Sequence, residues 1–372
     1  MEETKKSLDK EEYSFMNRPK LIQMLSILFM AFILSSCTNA KQEAEPPSEI
    51  TPLVEEEKPT SDPVPPITQY VAPLTGMPIE FPSNTRPLAV MVNNAPAARP
   101  QSGLSKADIV YEVLAEGGIT RLVAIYQSHS DAVTIGPIRS IRPYLIELGG
   151  LYHGLLVHAG GSPEAYSIIQ KQKKEDLDEI GKAGAYFWRD KSRKAPHNLY
   201  SDTDKLHEGA NKLKYAQEVA IPTYPFRSEN EIIAGEHASK VDITFLLKNY
   251  IVSYDYDDSK QVYKRSINNK PHIDLTNNMQ LEAANVIVMG ADHKVLDDVG
   301  RLSVDINLGG EALIFQQGKL IRGNWIHSKD DVIRFVSNDK EIPLVPGTTY
   351  INIVPNDPTF ESHVTVSNVK QN

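Results

Sequence analysis

The chain has 372 residues, a formal net charge of −9 and a single cysteine, Cys37. One cysteine excludes an intrachain disulfide framework. The charged residues form no basic cluster and no basic-aromatic stripe, so the composition argues against a nucleic-acid partner. Residues 67–372 are enough for two domains at roughly 150 residues each.

The N-terminal segment predicts export and lipidation. Arg18 and Lys20 precede an uncharged apolar run, residues 21–34. This run is shorter than the roughly 20 residues that span a bilayer, and it fits the apolar core of a secretory signal. The sequence Leu34-Ser35-Ser36-Cys37 follows at once and resembles the bacterial lipobox. We therefore expect residues 1–37 to be a lipoprotein signal peptide.

The acidic residues at the start of the chain are unusual before such a signal, whereas the segment that begins at Met16 is basic. Translation is therefore expected to begin at Met16. Lipidation of Cys37 would hold the mature protein on the extracytoplasmic face of the cell membrane.

A tether is predicted after the anchor. Residues 38–66 contain seven prolines, seven acidic residues and two lysines, a local net charge of −5. Such a segment buries too little apolar surface to offset its ordering entropy, so we expect it to be disordered and extended. Its charge should hold the folded part away from anionic headgroups.

The pattern after the tether predicts an α+β fold, in which a mixed α/β domain (67–220) precedes a β-rich domain (221–372). In the first domain, apolar and β-branched runs predict strands, and apolar residues at helical spacing predict helices. The strands are expected at 88–92, 109–114, 120–127 and 155–158, and the helices at 141–151, after Ser162 and at 202–213. Residues 221–225 are expected to be a linker.

Alternating runs separated by turn residues predict the strands of the second domain. They are expected at 241–247, 251–256, 261–266, 286–289, 302–306, 312–315, 320–326, 333–335 and 350–354. Trp325 is expected in the core of this domain.

Several of these segments resemble the YerB-type family of bacterial lipoproteins. In the first domain they are Arg86–Asn94, Ala107–Glu112, Glu116–Arg121 and Gly136–Pro143, and in the second domain Gly318–Pro355. The resemblance covers about residues 67–360. It implies a two-domain bacterial lipoprotein, and it carries no mechanism with it.

An arginine set is the densest candidate site. Arg139 and Arg142 flank Ser140 in a loop that enters a predicted helix, and Arg121 follows a Gly-Gly pair. A helix N-terminus together with guanidinium groups binds phosphate or carboxylate. Alternatively, the arginines pair with Asp108, Glu112 or Glu116 and only hold loops in place.

Glu112 and Glu116 are the candidate catalytic acids. Glu112 lies within an apolar strand, where a carboxylate must be paired or protonated. A raised pKa would suit a general acid for glycan cleavage. An ion pair with Arg121 or Arg139 is the favoured alternative.

His158 and Ser162 stand beside a Gly-Gly pair and could be a base and a nucleophile. However, the chain has no Gly-x-Ser-x-Gly elbow, and Ser162 suits a helix N-cap. An anion at this helix N-terminus is therefore the favoured interpretation for His158 and Ser162.

A loop-rich segment supplies the remaining candidates. Arg189, His197 and Asn198 lie close to aromatic residues, a combination that suits a carbohydrate or peptide surface. Equally, Trp188 and Tyr200 could be buried in the hydrophobic core and have no role in binding. The ten histidines show no metal-ligand spacing, so neither a metal nor a cofactor is expected.

The location and the incomplete catalytic motifs favour binding. The expected ligand is a cell-wall glycan, an anionic precursor or a wall-synthesis partner protein. The alternatives are a peptidoglycan-cleaving enzyme that uses Glu112 or Glu116, and a structural lipoprotein that docks a membrane enzyme through its second domain.

Overall fold

The computed structural model describes residues 70–129, 131–228 and 231–368. They belong to one compact unit, Pro66–Asn372. The predicted signal peptide, the Met16 start, Cys37 and the tether 38–66 lie outside the described residues. Within the described ranges, no helix has the length and apolarity needed to cross a membrane.

The described part of the chain is rich in strands and has three α-helices. The first ten strands are β1 Tyr70–Val71, β2 Pro78–Ile79, β3 Leu88–Asn93, β4 Ile109–Leu114, β5 Thr120–Tyr126, β6 Thr134–Ile135, β7 Leu155–His158, β8 Asp176–Asp178, β9 Trp188–Arg189 and β10 Leu199–Asp202. The helices, all in the first half of the described range, are α1 Pro143–Gly150, α2 Pro163–Lys171 and α3 Thr203–Lys212.

The second half has no α-helix among its described residues. Its strands are β11 Glu236–His237, β12 Lys240–Thr244, β13 Ile251–Asp257, β14 Val262–Ile267, β15 Lys270–Pro271, β16 Glu282–Ala283, β17 Asn285–Val295, β18 Leu302–Asp305, β19 Gly310–Gln316, β20 Lys319–Ile326, β21 Arg334–Ser337, β22 Lys340–Glu341, β23 Thr349–Pro355 and β24 Val364–Ser367.

Two predicted elements are shorter than expected. Helix α1 begins at Pro143, because Arg142 has extended backbone angles and occupies the N-cap position. Strand β12 ends at Thr244, where the chain turns before β13, so Leu246 and Leu247 are exposed instead of packed in a sheet.

The largest sheet runs through both halves of the chain. Its main path has the order β22-β21-β20-β19-β17-β23-β4-β5-β3-β7-β8, with β11 on β20 and β18 on β17. Strand β23 pairs in parallel with β4, so the last long strand of the chain joins the two halves. The predicted linker, residues 221–225, also packs against the rest of the fold. Its Tyr224 is buried, and the Tyr224 hydroxyl forms a hydrogen bond with the Tyr152 hydroxyl at 2.9 Å.

The large sheet has a separate core on each face. Val90 and Val92 of β3 lie in a core that also contains α3 and residues of a second, six-stranded sheet with β12, β13 and β14. Ala89 and Met91 alternate with them and pack against α1. The fold is therefore layered, with α1 and α2 on one face of the large sheet, and the second sheet together with α3 on the other.

A buried ion pair joins the two sheets. Glu112 of β4 and Arg265 of β14 are fully buried and bond each other. The second Glu112 oxygen, Oε1, accepts from Asn94 at 3.0 Å, Thr120 at 2.7 Å and the Tyr250 hydroxyl at 2.6 Å. Such a pair is tolerated because both partners have their hydrogen bonds satisfied.

Further residues accept hydrogen bonds from the Arg265 guanidinium. Arg265 donates through Nε to His272 Nδ1 at 3.0 Å, and His272 Nε2 bonds Gln101 Oε1 at 2.7 Å. Burial lowers the pKa of His272 well below its ordinary value, and the charge of Arg265 lowers it further. His272 is therefore neutral and accepts from Arg265.

Removing one member of this pair should be costly. We expect Arg265→Met to lower the free energy of unfolding by about 3–5 kcal/mol, because Glu112 is then left buried without its counter-charge. Urea unfolding measures the change. Arg322, paired with Glu236 on the surface, is the matched control, and Arg322→Met should change stability by less than about 1 kcal/mol. Equal losses in the two variants would contradict this role.

Candidate functional site

The directions of the strands bring several polar residues to one edge of the large sheet. Strands β3, β7 and β8 are mutually parallel, and so are β4, β23 and β17. Strand β5 lies antiparallel between β3 and β4, so both groups point the same way. We call the edge where these six strands end the carboxyl edge. Ligands of parallel sheets bind characteristically at such an edge.

Three arginines meet at the carboxyl edge, and together with Glu116 and His197 we call them the arginine cluster. Arg121 is the second residue of β5, and its guanidinium donates to the Ser140 carbonyl and lies 3.7 Å from Glu116 Oε2. Arg142 bonds the same carboxylate through Nε and donates from Nη1 to its neighbouring Ile141 carbonyl at 2.7 Å.

Arg139 is the third arginine. Its backbone is held between two strands, because its N–H donates to the Met91 carbonyl at 2.8 Å and its carbonyl accepts from Ala159 at 3.1 Å. The side chain is half-buried, and its Nε is buried with no acceptor among the described residues. Within the same residues no carboxylate forms a salt bridge with Arg139. A rigid backbone thus presents a guanidinium without a direct ion-pair partner, whose charge is compensated only from a distance by Glu116, which is bonded to Arg142.

Asn93 and His197 lie next to this group. Asn93 ends β3 directly opposite Arg121, and its amide bonds His197 Nδ1 at 2.8 Å. Arg193, in the loop before His197, donates to the Ala98 and Pro100 carbonyls at 2.8 and 2.6 Å. This loop is thereby tied to the end of β3, and His197 is brought to the cluster.

The pKa shifts reflect an excess of positive charge. The pKa of Arg121 is lowered to about 10, mainly by burial and also by the charges of Arg142 and Arg139, while the charge of Glu116 opposes this. The pKa of His197 lies below its ordinary value through burial and then the charges of Arg139 and Arg193. For Glu116, burial favours a higher pKa, but the bond and charge of Arg142 outweigh it, and the pKa lies below 4.5. Three guanidiniums therefore share one ionised carboxylate.

Glu112 is not part of this cluster. The structure pairs it with Arg265, not with Arg121 or Arg139 as expected, and leaves it fully buried between the sheets. All the neighbours of its carboxylate are hydrogen-bond donors, and its burial leaves no access for a substrate. The geometry gives no support to a general-acid role for Glu112.

His158, Ser140 and Ser162 hold the loops behind the cluster. His158 is fully buried, with Nδ1 bonded to the Gly160 carbonyl at 2.9 Å and Nε2 3.3 Å from Asp176. Ser140 Oγ donates to the Ala159 carbonyl at 2.9 Å. Ser162 caps α2 by accepting from the Ala165 N–H at 3.2 Å, as its N-cap interpretation predicted. Ser162 and His158 make no hydrogen bond with each other.

Arg189 and Asn198 also have partners. Arg189 pairs with Glu179 at 3.0 Å and donates to Asn198 Oδ1 at 3.2 Å. Asn198 in turn donates to the Asp190 carbonyl at 3.1 Å. Trp188 is partly exposed and stacks on Tyr200, which is buried. Arg189 therefore stands at the edge of the cluster with its charge neutralised.

Asn93 was missed as a site residue, although its position directly after a buried strand is a usable signal. A cavity of about 480 Å³ was also not foreseen. Its lining includes Leu88, Tyr126 and His207, so it lies at the opposite edge of the large sheet.

Two models of one family match the chain, one for each half. The model described as "Protein of unknown function (DUF3048) N-terminal domain" matches residues 74–216, and the DUF3048 C-terminal domain matches residues 241–351. The chain belongs to the DUF3048 family.

The relatives agree with this assignment. The chain is 37% identical over 286 residues to "Putative lipoprotein YerB" of Bacillus subtilis (strain 168), a match that covers 76% of this chain and 86% of the relative. The crystal structure of YerB from Bacillus subtilis matches with a TM-score of 0.74 and 35% identity, over 81% of this chain and all of that one. The resemblance to the YerB-type family is confirmed.

Glu116 should make the stability of the protein depend on pH. Its folded-state pKa lies below 4.5, so its contribution is complete above that pH and is lost as the pH falls through the folded value. Solvent screening limits this contribution to about 1 kcal/mol. We expect Glu116→Gln to lower stability at pH 7 and to flatten its decline in acid, as measured by urea unfolding at pH 7 and pH 3. Exposed Glu311→Gln is the control, and a similar effect there would contradict the assignment.

Proposed function

We propose that this protein is an extracytoplasmic lipoprotein, anchored through Cys37, whose arginine cluster binds a phosphate or carboxylate group of a cell-envelope component. The observation that carries the proposal is the half-buried guanidinium of Arg139, which forms no salt bridge among the described residues and lies near Arg121 and Arg142. A guanidinium in this setting forms charge-assisted bonds with an oxyanion. The name of the relative YerB, and the lipobox-like sequence at Cys37, support the anchor.

The ligand class follows from the location proposed for the protein. Outside the cell, oxyanions occur on wall glycans, on their precursors and on partner proteins, and each fits the charge of the cluster. Cleavage of glycans is not favoured, because Glu116 is held ionised by two arginines while a general acid needs a raised pKa.

Arg139→Met tests the anion site. We expect inorganic phosphate to bind residues 66–372 and its affinity to fall about tenfold in the variant, which loses a charge-assisted interaction. NMR titration measures the affinity. It also follows the pKa of His197, which should rise in the parent chain when phosphate neutralises the nearby charge of Arg139.

Two further variants separate binding from stability. Arg189 has its own carboxylate partner, so Arg189→Met should leave phosphate affinity unchanged. Glu116→Gln removes the one competing carboxylate of the cluster and should strengthen phosphate binding while it weakens the fold. An equal loss of affinity in Arg139→Met and Arg189→Met, or no phosphate binding by the parent chain, would refute the proposed site.

Cys37→Ala tests the anchor. After cell fractionation we expect the parent chain in the membrane fraction, labelled by a radioactive fatty acid, because acyl chains supply membrane affinity. The variant should carry no label. Labelling that persists without the only cysteine of the chain would contradict lipidation at this position.

A further inference from the structure

Apolar side chains are exposed on three turns at the carboxyl edge, next to the arginine cluster. The turns follow β4, β12 and β17, and each precedes the next strand of its hairpin. The exposed apolar residues there are Ile119, Leu246, Leu247, Leu296 and Val299 on the turns, and Val295 at the end of β17. Single exposed apolar residues are common, but a contiguous group marks an interaction surface.

Contacts between the turns make these residues one surface. A Cβ added at Gly118 would lie 2.8 Å from Leu247 Cγ, and one at Gly300 would lie 3.8 Å from the Gly117 nitrogen. The turn after β4 is therefore flanked by the other two. Leu296 and Arg142 line one small cavity of about 110 Å³, which connects the apolar turns to the arginines.

The same surface has more positive than negative side chains, although the chain as a whole carries −9. Its positive side chains are Arg121, which is buried, Arg139, Arg142, the exposed Lys248 and Lys294, and Arg301, which is paired with Asp297 at 2.9 Å. Its carboxylates are Glu116, Glu164, Asp297 and Asp298. An excess of positive charge beside exposed aliphatic side chains is complementary to an anionic lipid surface, which offers phosphate groups above hydrocarbon.

We propose that this apolar-cationic face docks on the surface of an anionic phospholipid bilayer. Leu246, Leu247 and Val299 enter the interfacial region, and a lipid phosphate binds at the arginine cluster. The inference rests on the proposed anion site and names the source of the anion. The inference also gives the exposed apolar turns a role in membrane binding. Anion binding at the arginine cluster alone would not require these turns.

The anchor leaves room for this arrangement. Thirty-two residues separate Cys37 from Tyr70, and fully extended they would reach about 100 Å. A folded unit of this size is about 50 Å across, so either edge of the sheet can reach the membrane that holds the lipid. The acidic charge of the tether opposes approach, so docking depends on attraction of the cationic face to anionic lipid.

Vesicle sedimentation of residues 66–372 tests the proposal without the lipid anchor. We expect this unit to bind vesicles that contain phosphatidylglycerol and not vesicles of phosphatidylcholine alone. Leu246→Asp combined with Val299→Asp should reduce binding at least tenfold, since both apolar insertion and charge attraction are weakened. The two residues are 61% and 68% exposed, so the fold should tolerate both changes.

Phe81→Asp is the matched control, because Phe81 is 71% exposed and lies at the opposite edge of the sheet. It should bind vesicles like the parent chain. Binding that resists the double variant, or an equal loss in the control, overturns the docking face. Arg139-dependent phosphate binding without vesicle binding overturns this inference and leaves the proposed function intact. Vesicle binding that survives Arg139→Met overturns the assignment of the headgroup to the arginine cluster.

Discussion

The ion pair between Glu112 and Arg265 is the constraint on which the remaining structure depends. A buried carboxylate and a buried guanidinium are each costly, and they are stable only when their positions are matched. One comes from the first half of the chain and the other from the second. The pair therefore fixes how the six-stranded sheet lies on the large sheet. It also fixes Tyr250, and with it the turn that carries Leu246 and Leu247.

The division between buried and exposed charge explains which candidates belong to a site. Glu112 has donors on both oxygens and is structural. Arg189, with a carboxylate partner, adds no net charge. Arg139 has a fixed backbone, partial burial and no salt-bridge partner among the described residues, so it has the most to gain from an external anion. Burial and partners, which a sequence does not display, distinguish these three charged residues.

Much of the local structure was predictable, because the signals were local. The runs at 88–92 and 109–114 are strands, Ser162 caps a helix, and Trp325 is buried with Nε1 bonded to the Gly290 carbonyl at 2.8 Å. The pairing of β23 with β4 was not predictable, because it joins residues about 240 positions apart. The partner of Glu112 was missed for the same reason.

The sequence by itself determined the class of protein. A basic segment, an apolar run and one cysteine predict a lipid anchor, and local motifs identify the family. The sequence also shows Arg121, Arg139 and Arg142 to be candidate site residues. Only the tertiary structure decided that Arg121, Arg139 and Arg142 meet at one edge with a single carboxylate, and that three apolar turns surround them. The physical reason is that strand direction and register set these contacts, and both depend on packing between distant segments.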